Sequence, residues 1–411
     1  MYLKSASIFF AQLLAVLLLA LHPVETVAQY SITVTAGGID RAESVVSVTF
    51  PDSVAPGVYA LEDGSGNTVP IQVNEHNMGL FIIDKLSAGD SEIYHFSGEA
   101  ASSVGASQVN YTADENTFTF QKDGKPVLSY YYDSNNPPTE LDHRYKRAGY
   151  IHPAYTPNGV SLTNHLDTQM HPHHYGIWSA WTKTKFQGRS PDFWNQQDET
   201  GRVDHADSLD KVWEGPVYGG LKATNYFVDI SGSAPVIGLN EEWQTKIYNI
   251  SGTDKQEYNL FDLKLTHTAN SGQPLTLPTY HYGGLAFRGH QQWDNPDNVS
   301  FLTSAGYDRS NGNETRARWV HVGGQVNGKQ VGVAILSHPD NFRSPQPVRI
   351  NPSTPYFVYA PMQLGDFKIK PGSPYLMRYR FVTYDGEPDV DALNHLWKDY
   401  AYPPGVTVTA E

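Results

Sequence analysis

The chain has 411 residues, with 29 Lys and Arg against 43 Asp and Glu and a formal net charge of −14. That balance excludes the broad basic face that nucleic acid or an anionic membrane surface requires, although Arg and His can still cluster locally. Cysteine is absent, which excludes a disulfide framework and a thiolate metal site and leaves stability to a large core.

At the N-terminus, Lys4 precedes an apolar run from Ile8 to Leu21 broken only by Gln12, and small residues lead to Ala28. This pattern predicts a cleaved leader over residues 1–28 and an exported protein, periplasmic or extracellular. The run is short for a membrane span, and no later segment is apolar enough to cross a bilayer.

Alternating β-rich runs separated by Gly, Pro, Asn and Asp follow. Val46–Phe50, Thr68–Val73, Gly79–Ile83 and Glu92–Phe96 predict a small β-sandwich over residues 29–102. The linker-like composition of Ala100 to Ser107 marks its boundary. Residues 103–411 then predict a large antiparallel β-sandwich, the second unit of an all-β chain. Within it, Trp243, Thr245 and Ile247 alternate with Glu242, Gln244 and Lys246, and Phe261, Leu263, Leu265 and His267 share one face of the next strand. Gly37-Gly38 and Gly323-Gly324 read as turn glycines. One helix is predicted near the end, capped by Asp389, with Leu393, Leu396, Trp397 and Tyr400 forming an apolar stripe.

Reactive side chains concentrate in residues 141–207. Arg147 and His152 come first, then His171-Pro-His173-His174 with Trp178, then Asp192 with Trp194. Read as extended chain, His171 and His173 project to one side and His174 to the other. Two imidazoles on one side suit a divalent metal or proton transfer alike, and no other cofactor is expected. A second group is His281-Tyr282-Gly283-Gly284 with Arg288, where the glycine pair signals a bulge or a close backbone approach. A third is His338-Pro with Arg343 at a strand end. No GxSxG elbow and no phosphate-binding glycine loop occurs.

Taken together, Tyr145–Pro153, His171–His174 with Gly176–Trp178, Thr182–Gly188 with Asp192–Asn195, Tyr282–Gly284, and Gly332–Leu336 with His338 and Arg343 resemble a family of secreted bacterial proteins of unknown function. That family carries a methane-oxygenase-like label, which does not suit a chain lacking transmembrane helices. The resemblance implies a supersandwich-like fold and work on an oligosaccharide or polysaccharide beside other polysaccharide-degrading enzymes. The reaction expected is elimination at a uronic acid, by a lyase or a dehydratase. His173 or His174 would act as base and His281 or Tyr282 as acid. Arg147, His152, Trp178, Asp192, Trp194, Arg288, His338 and Arg343 would bind substrate. A glycoside hydrolase and a non-catalytic sugar binder are the alternatives.

If the leader reading is right, Edman sequencing of protein recovered from the periplasm or medium begins at Gln29. Retention of residues 1–28 contradicts it.

Overall fold

The structure, a computed structural model, describes residues 29–101, 107–133, 137–206, 208–253 and 255–411. The predicted leader and most of the predicted linker lie outside those residues. The alternation read from the sequence becomes strand almost everywhere it was seen. Trp243, Thr245 and Ile247 are buried, whereas Glu242, Gln244 and Lys246 on the same strand are partly exposed.

The first unit is one seven-stranded antiparallel sheet in the order Arg41–Thr49, Met78–Leu86, Thr68–Val73, Gly57–Glu62, Ser91–Ala100, Tyr30–Thr35, Gly405–Ala410. Its two end strands approach each other, so the sheet curls around a core that includes Tyr30, Ile32, Val46, Phe50, Ile71 and Phe96. The C-terminal strand corrects the expected boundary. Residues 405–410 leave the large unit and pair with Tyr30–Thr35 along its whole length.

The large unit is a sandwich of two antiparallel sheets. The front sheet has eight strands, centred on Gly284–Arg288, Ile177–Ala180 and Tyr150–Ala154. The back sheet has nine strands, eight of them in one order centred on Val236–Tyr248, Tyr258–Ala269 and Tyr375–Asp385, with Lys211–Trp213 paired beside Tyr218–Asp229. Side-chain alternation sorts each front strand between two environments. Ile151, Ile177, Leu285, Phe287 and Phe357 join the core between the sheets. Tyr150, Trp178, Ala180, Ala286 and Val358 face the other way, into a separate aromatic cluster under the loops.

Gly323 and Gly324 lie inside the strand Trp319–Val326 and form no turn. A Cβ on Gly324 would stand 1.9 Å from the Asn298 carbonyl oxygen, so close strand packing is what requires glycine there. The helix Val390–Ala401 forms as expected, with the Asp389 carboxylate accepting the Ala392 N–H at 3.0 Å. Its stripe packs on the outer face of the back sheet against Trp319, Leu336 and Val382. Arg41 of the first unit reaches Asp399 of this helix at 2.6 Å, a buried ion pair that joins the two units.

Polar groups also cross the central core. Trp181 donates its indole N–H to His267 Nδ1 at 2.8 Å, and His267 Nε2 lies 2.9 Å from Glu241, with His267 and Glu241 fully buried. An indole only donates, so Nδ1 accepts and the neutral imidazole carries its proton on Nε2, toward the carboxylate. Removing the donor leaves His267 Nδ1 buried and unpaired. Trp181→Phe is expected to destabilise the protein by about 1–3 kcal/mol in urea unfolding. An unchanged midpoint contradicts that account of the network.

Candidate functional site

The site is built on the outward face of the front sheet, and a buried cation shapes it. Arg288, at the end of the strand Gly284–Arg288, is fully buried. Its Nη2 bonds Asp167 Oδ2 at 3.0 Å and lies 2.6 Å from Asp294 Oδ1. A buried guanidinium requires such compensation, because lost hydration costs several kcal/mol per ion. Asp167 also accepts the backbone N–H of Gln169 at 2.8 Å and of Met170 at 3.3 Å, and the Asn164 side chain at 2.9 Å. One carboxylate therefore ties Arg288 to the loop that carries the histidines. A bridge between His165 and Tyr175 and the bond from Leu166 N to His174 O close the loop at its base.

Within that loop, residues 171–174 make a turn closed by His174 N bonding His171 O at 3.0 Å. His171 sits at φ +53°, a left-handed conformation that a residue with a Cβ adopts only at a cost. The expected extended geometry, with His174 pointing away, is thus corrected. The turn brings all three imidazoles together, with one nitrogen of each within 4.8 Å of the others. His171 and His174 stack at 4.8 Å, and His173 stands edge-on to His174 at 4.7 Å. His174 is buried, and its Nδ1 has no partner among the described residues. Burial lowers the proton affinity of all three. It takes His173 to about 4 and His174 well below 6.5, with neighbouring imidazoles adding to the effect.

Aromatic rings form the floor. His174 contacts Tyr356 at 4.6 Å and Trp178 at 5.2 Å, Trp178 contacts Trp194 at 5.0 Å, and Trp194 meets Tyr282 at 4.9 Å. Trp178 and Trp194 are buried in this floor, so neither offers an open ring face to a substrate. Tyr282 is half-buried, and desolvation holds its phenol above its usual value. His281 is exposed beside it, with ring centroids 4.8 Å apart. The glycine pair fulfils the close-approach reading: a Cβ on Gly284 would come 2.4 Å from the Tyr359 carbonyl oxygen.

Other expected binding residues have structural work. Asp192 accepts the backbone N–H of Trp194 and Asn195 at 2.8 and 2.9 Å and the Thr182 and Asn195 side chains at 2.9 Å, which shapes its own loop. Arg147 is buried and donates to the carbonyls of Ser179 and Phe193. Arg343 clamps the carbonyls of Pro361 and Gly365 at 2.6 Å, which braces the segment facing His281. His338 packs on Tyr400 of the helix, away from the front sheet. His152 joins a separate ring group, stacked on His165 at 3.9 Å and bonded to Thr163 at 2.9 Å. Asp167, Asp294 and Tyr356 are the site residues that sequence reading did not select. No motif spacing marks them, since they come from three separate segments.

Beside the loop carrying Trp194 lies a cleft of about 420 Å³ lined by Arg144, Lys146, Gln196, Glu199, Arg202 and Asp204, among others. A larger cleft, about 710 Å³, lies between the first unit and the helix. It is remote from the front-sheet floor.

Residues 117–398 match the model of a family described as a family of unknown function, DUF6807. No curated protein matches the chain. Among solved structures, the chain is similar to a protein in the glycosyl hydrolase family 38 from Enterococcus faecalis, at 9% identity and a TM-score of 0.42, over 93% of this chain and 47% of that one. It is also similar to an alpha-mannosidase from Enterococcus faecalis V583, at 9% identity and a TM-score of 0.43, over 93% and 46% of the two chains. The chain spans about half the length of these proteins, and likeness at this level carries no argument about activity.

If Arg288 holds the loop as described, Arg288→Met strands two carboxylates and costs about 3–5 kcal/mol of stability. Adding Asp167→Asn and Asp294→Asn recovers part of the loss. A neutral single substitution in urea unfolding contradicts the assignment.

Proposed function

The chain belongs to the DUF6807 family, and from there we propose that it is an exported carbohydrate-active enzyme that acts by elimination on uronic-acid-containing oligosaccharides. The observation that carries this reading is how the site's polar groups are spent. Hydrolysis at a sugar normally needs two carboxyl groups free to face one bond. Here Asp192 accepts four hydrogen bonds, Asp204 pairs with Arg202 at 2.8 Å, Glu199 lies 3.9 Å from Arg144, and Asp198 stands exposed on a turn. Of these four only Asp198 is uncommitted among the described residues, and a single carboxylate does not make the facing pair, whereas imidazoles and a phenol line the floor. Half-buried aromatic rings suit the C–H faces of sugars, and the adjoining cleft presents Lys146 to an acidic chain.

Elimination assigns each group one proton. A base removes the proton α to the carboxylate, the electron pair becomes the carbon–carbon double bond, and the β carbon–oxygen bond breaks as its oxygen is protonated. Tyr282 suits the acid role, because desolvation keeps its hydroxyl protonated at neutral pH. In place of His173 or His174, His281, expected above as an acid, suits the base role: partial desolvation and then Arg349 lower its proton affinity, so its ring can accept. The negative charge that develops on the carboxylate must also be met. Arg147 and Arg343 are committed to backbone carbonyls, and Arg288 is buried beneath the loop. The imidazoles of the histidine turn are held neutral by burial, so they meet that charge only by holding a cation.

The test is a panel of uronic-acid-terminated oligosaccharides, followed by product mass and near-ultraviolet absorbance. Elimination predicts products that absorb as unsaturated uronates without added water, and Tyr282→Phe is expected to slow turnover by about 100-fold or more. Water added in every product overturns the reaction class.

A further inference from the structure

We propose that His171, His173 and His174 form a binding site for one divalent transition-metal ion of the zinc class, with an open position facing the substrate. The site stands on geometry. Its further role, holding a substrate carboxylate oxygen on the ion, rests on the reading above.

Three observations converge. Nitrogens of the three rings lie within 4.8 Å of one another. Zinc–imidazole bonds of about 2.0–2.1 Å in a tetrahedral arrangement set ligand nitrogens about 3.4 Å apart, so the set is completed by a contraction of about 1.4 Å or less together with a tilt of His171 and His174 out of their parallel stack. Among the described residues, none hydrogen-bonds any of the three imidazole rings, and the Nδ1 of His174 is buried and unpartnered. A buried imidazole nitrogen without a hydrogen bond, as in His174, gives up hydration for nothing unless something else binds it. The backbone is also committed to this arrangement: His171 takes a left-handed φ of +53° to turn its ring toward the others, a strain of the kind held at ligand sites.

The surroundings fit a cation. Among the described residues, Arg288 is the guanidinium acting on His171 and His174, and its charge is opposed by Asp167 and Asp294. The charges of Asp192 and Asp167 act in turn on His173 and His171. With Asp192 counted, carboxylates outnumber the cation, and a divalent ion restores balance. Three neutral imidazoles with an open fourth position are the donor set of catalytic zinc sites. There the ion acts as a Lewis acid on a bound oxygen, without proton bookkeeping.

Untagged mature protein, stripped with chelator, is titrated with Zn²⁺ by calorimetry and with Co²⁺ by visible absorption. The site predicts one equivalent bound per chain, at micromolar affinity or tighter. Bound Co²⁺ should show the intense d–d bands of four- or five-coordination, not the weak bands of a six-coordinate surface ion. His171→Asn and His173→Asn should each weaken Zn²⁺ binding by more than about 100-fold, beyond what loss of a supporting contact brings. His152→Asn, in the separate ring group, should leave stoichiometry intact. Circular dichroism checks that each variant folds, and if one does not, the wild-type Co²⁺ spectrum still decides. No binding, weak six-coordinate bands, or affinity indifferent to both variants overturns the site. Turnover that persists unchanged in chelator, with Zn²⁺ binding as predicted, upholds the site and overturns its role at the carboxylate. Failure to find a uronide substrate leaves the binding result unaffected, so the two proposals fall separately.

Discussion

A guanidinium buried under a loop is the constraint from which the rest of the site follows. Arg288 ends a central strand of the front sheet with its side chain on the outward face. There it can be tolerated only if carboxylates come to it. Asp167 arrives from the loop before the histidines and Asp294 from the segment after the strand. Asp167 then spends its remaining lone pairs on backbone N–H groups of its own loop. Desolvation of one cation thereby fixes the path of a loop with no regular secondary structure, and that path sets the turn at His171.

The sandwich supplies a rigid support. A front sheet with one face in the central core and the other under the loops presents Trp178, Ala286 and Val358 as a fixed floor. Across the core, Trp181, His267 and Glu241 link the end of a front strand to the back sheet through hydrogen bonds that admit one tautomer. Loops on such a support can carry polar and strained residues, because the strands beneath them bear the packing.

Much of the fold was legible because period-two alternation survives wherever one strand face is buried. Thr68–Val73 was read with its observed limits, and the helix stripe from Leu393 to Tyr400 was read with its cap. Reading failed where glycine means packing and not turning, as at Gly323-Gly324, and where pairing is long-range, as in the C-terminal strand that joins Tyr30–Thr35. The site was legible as composition: the His171–His174 run and the Tyr282–Gly284 run do face the same outward surface. Its geometry was not, because the direction of each ring depends on a positive φ and on Asp167 and Asp294, which no local pattern identifies. For the same reason Arg147, Asp192 and Arg343 looked like ligand groups. Whether a polar side chain is free or already bonded is a property of the folded chain alone.

The central claim is that the loop held by Arg288 gathers three imidazoles into a metal centre. Crystals grown from zinc-loaded protein, with anomalous scattering recorded at the zinc absorption edge, test it most directly. The account predicts one anomalous peak per chain, about 2.0–2.1 Å from a nitrogen of each of His171, His173 and His174. A peak bound elsewhere, or no peak on an otherwise ordered histidine turn, would contradict it.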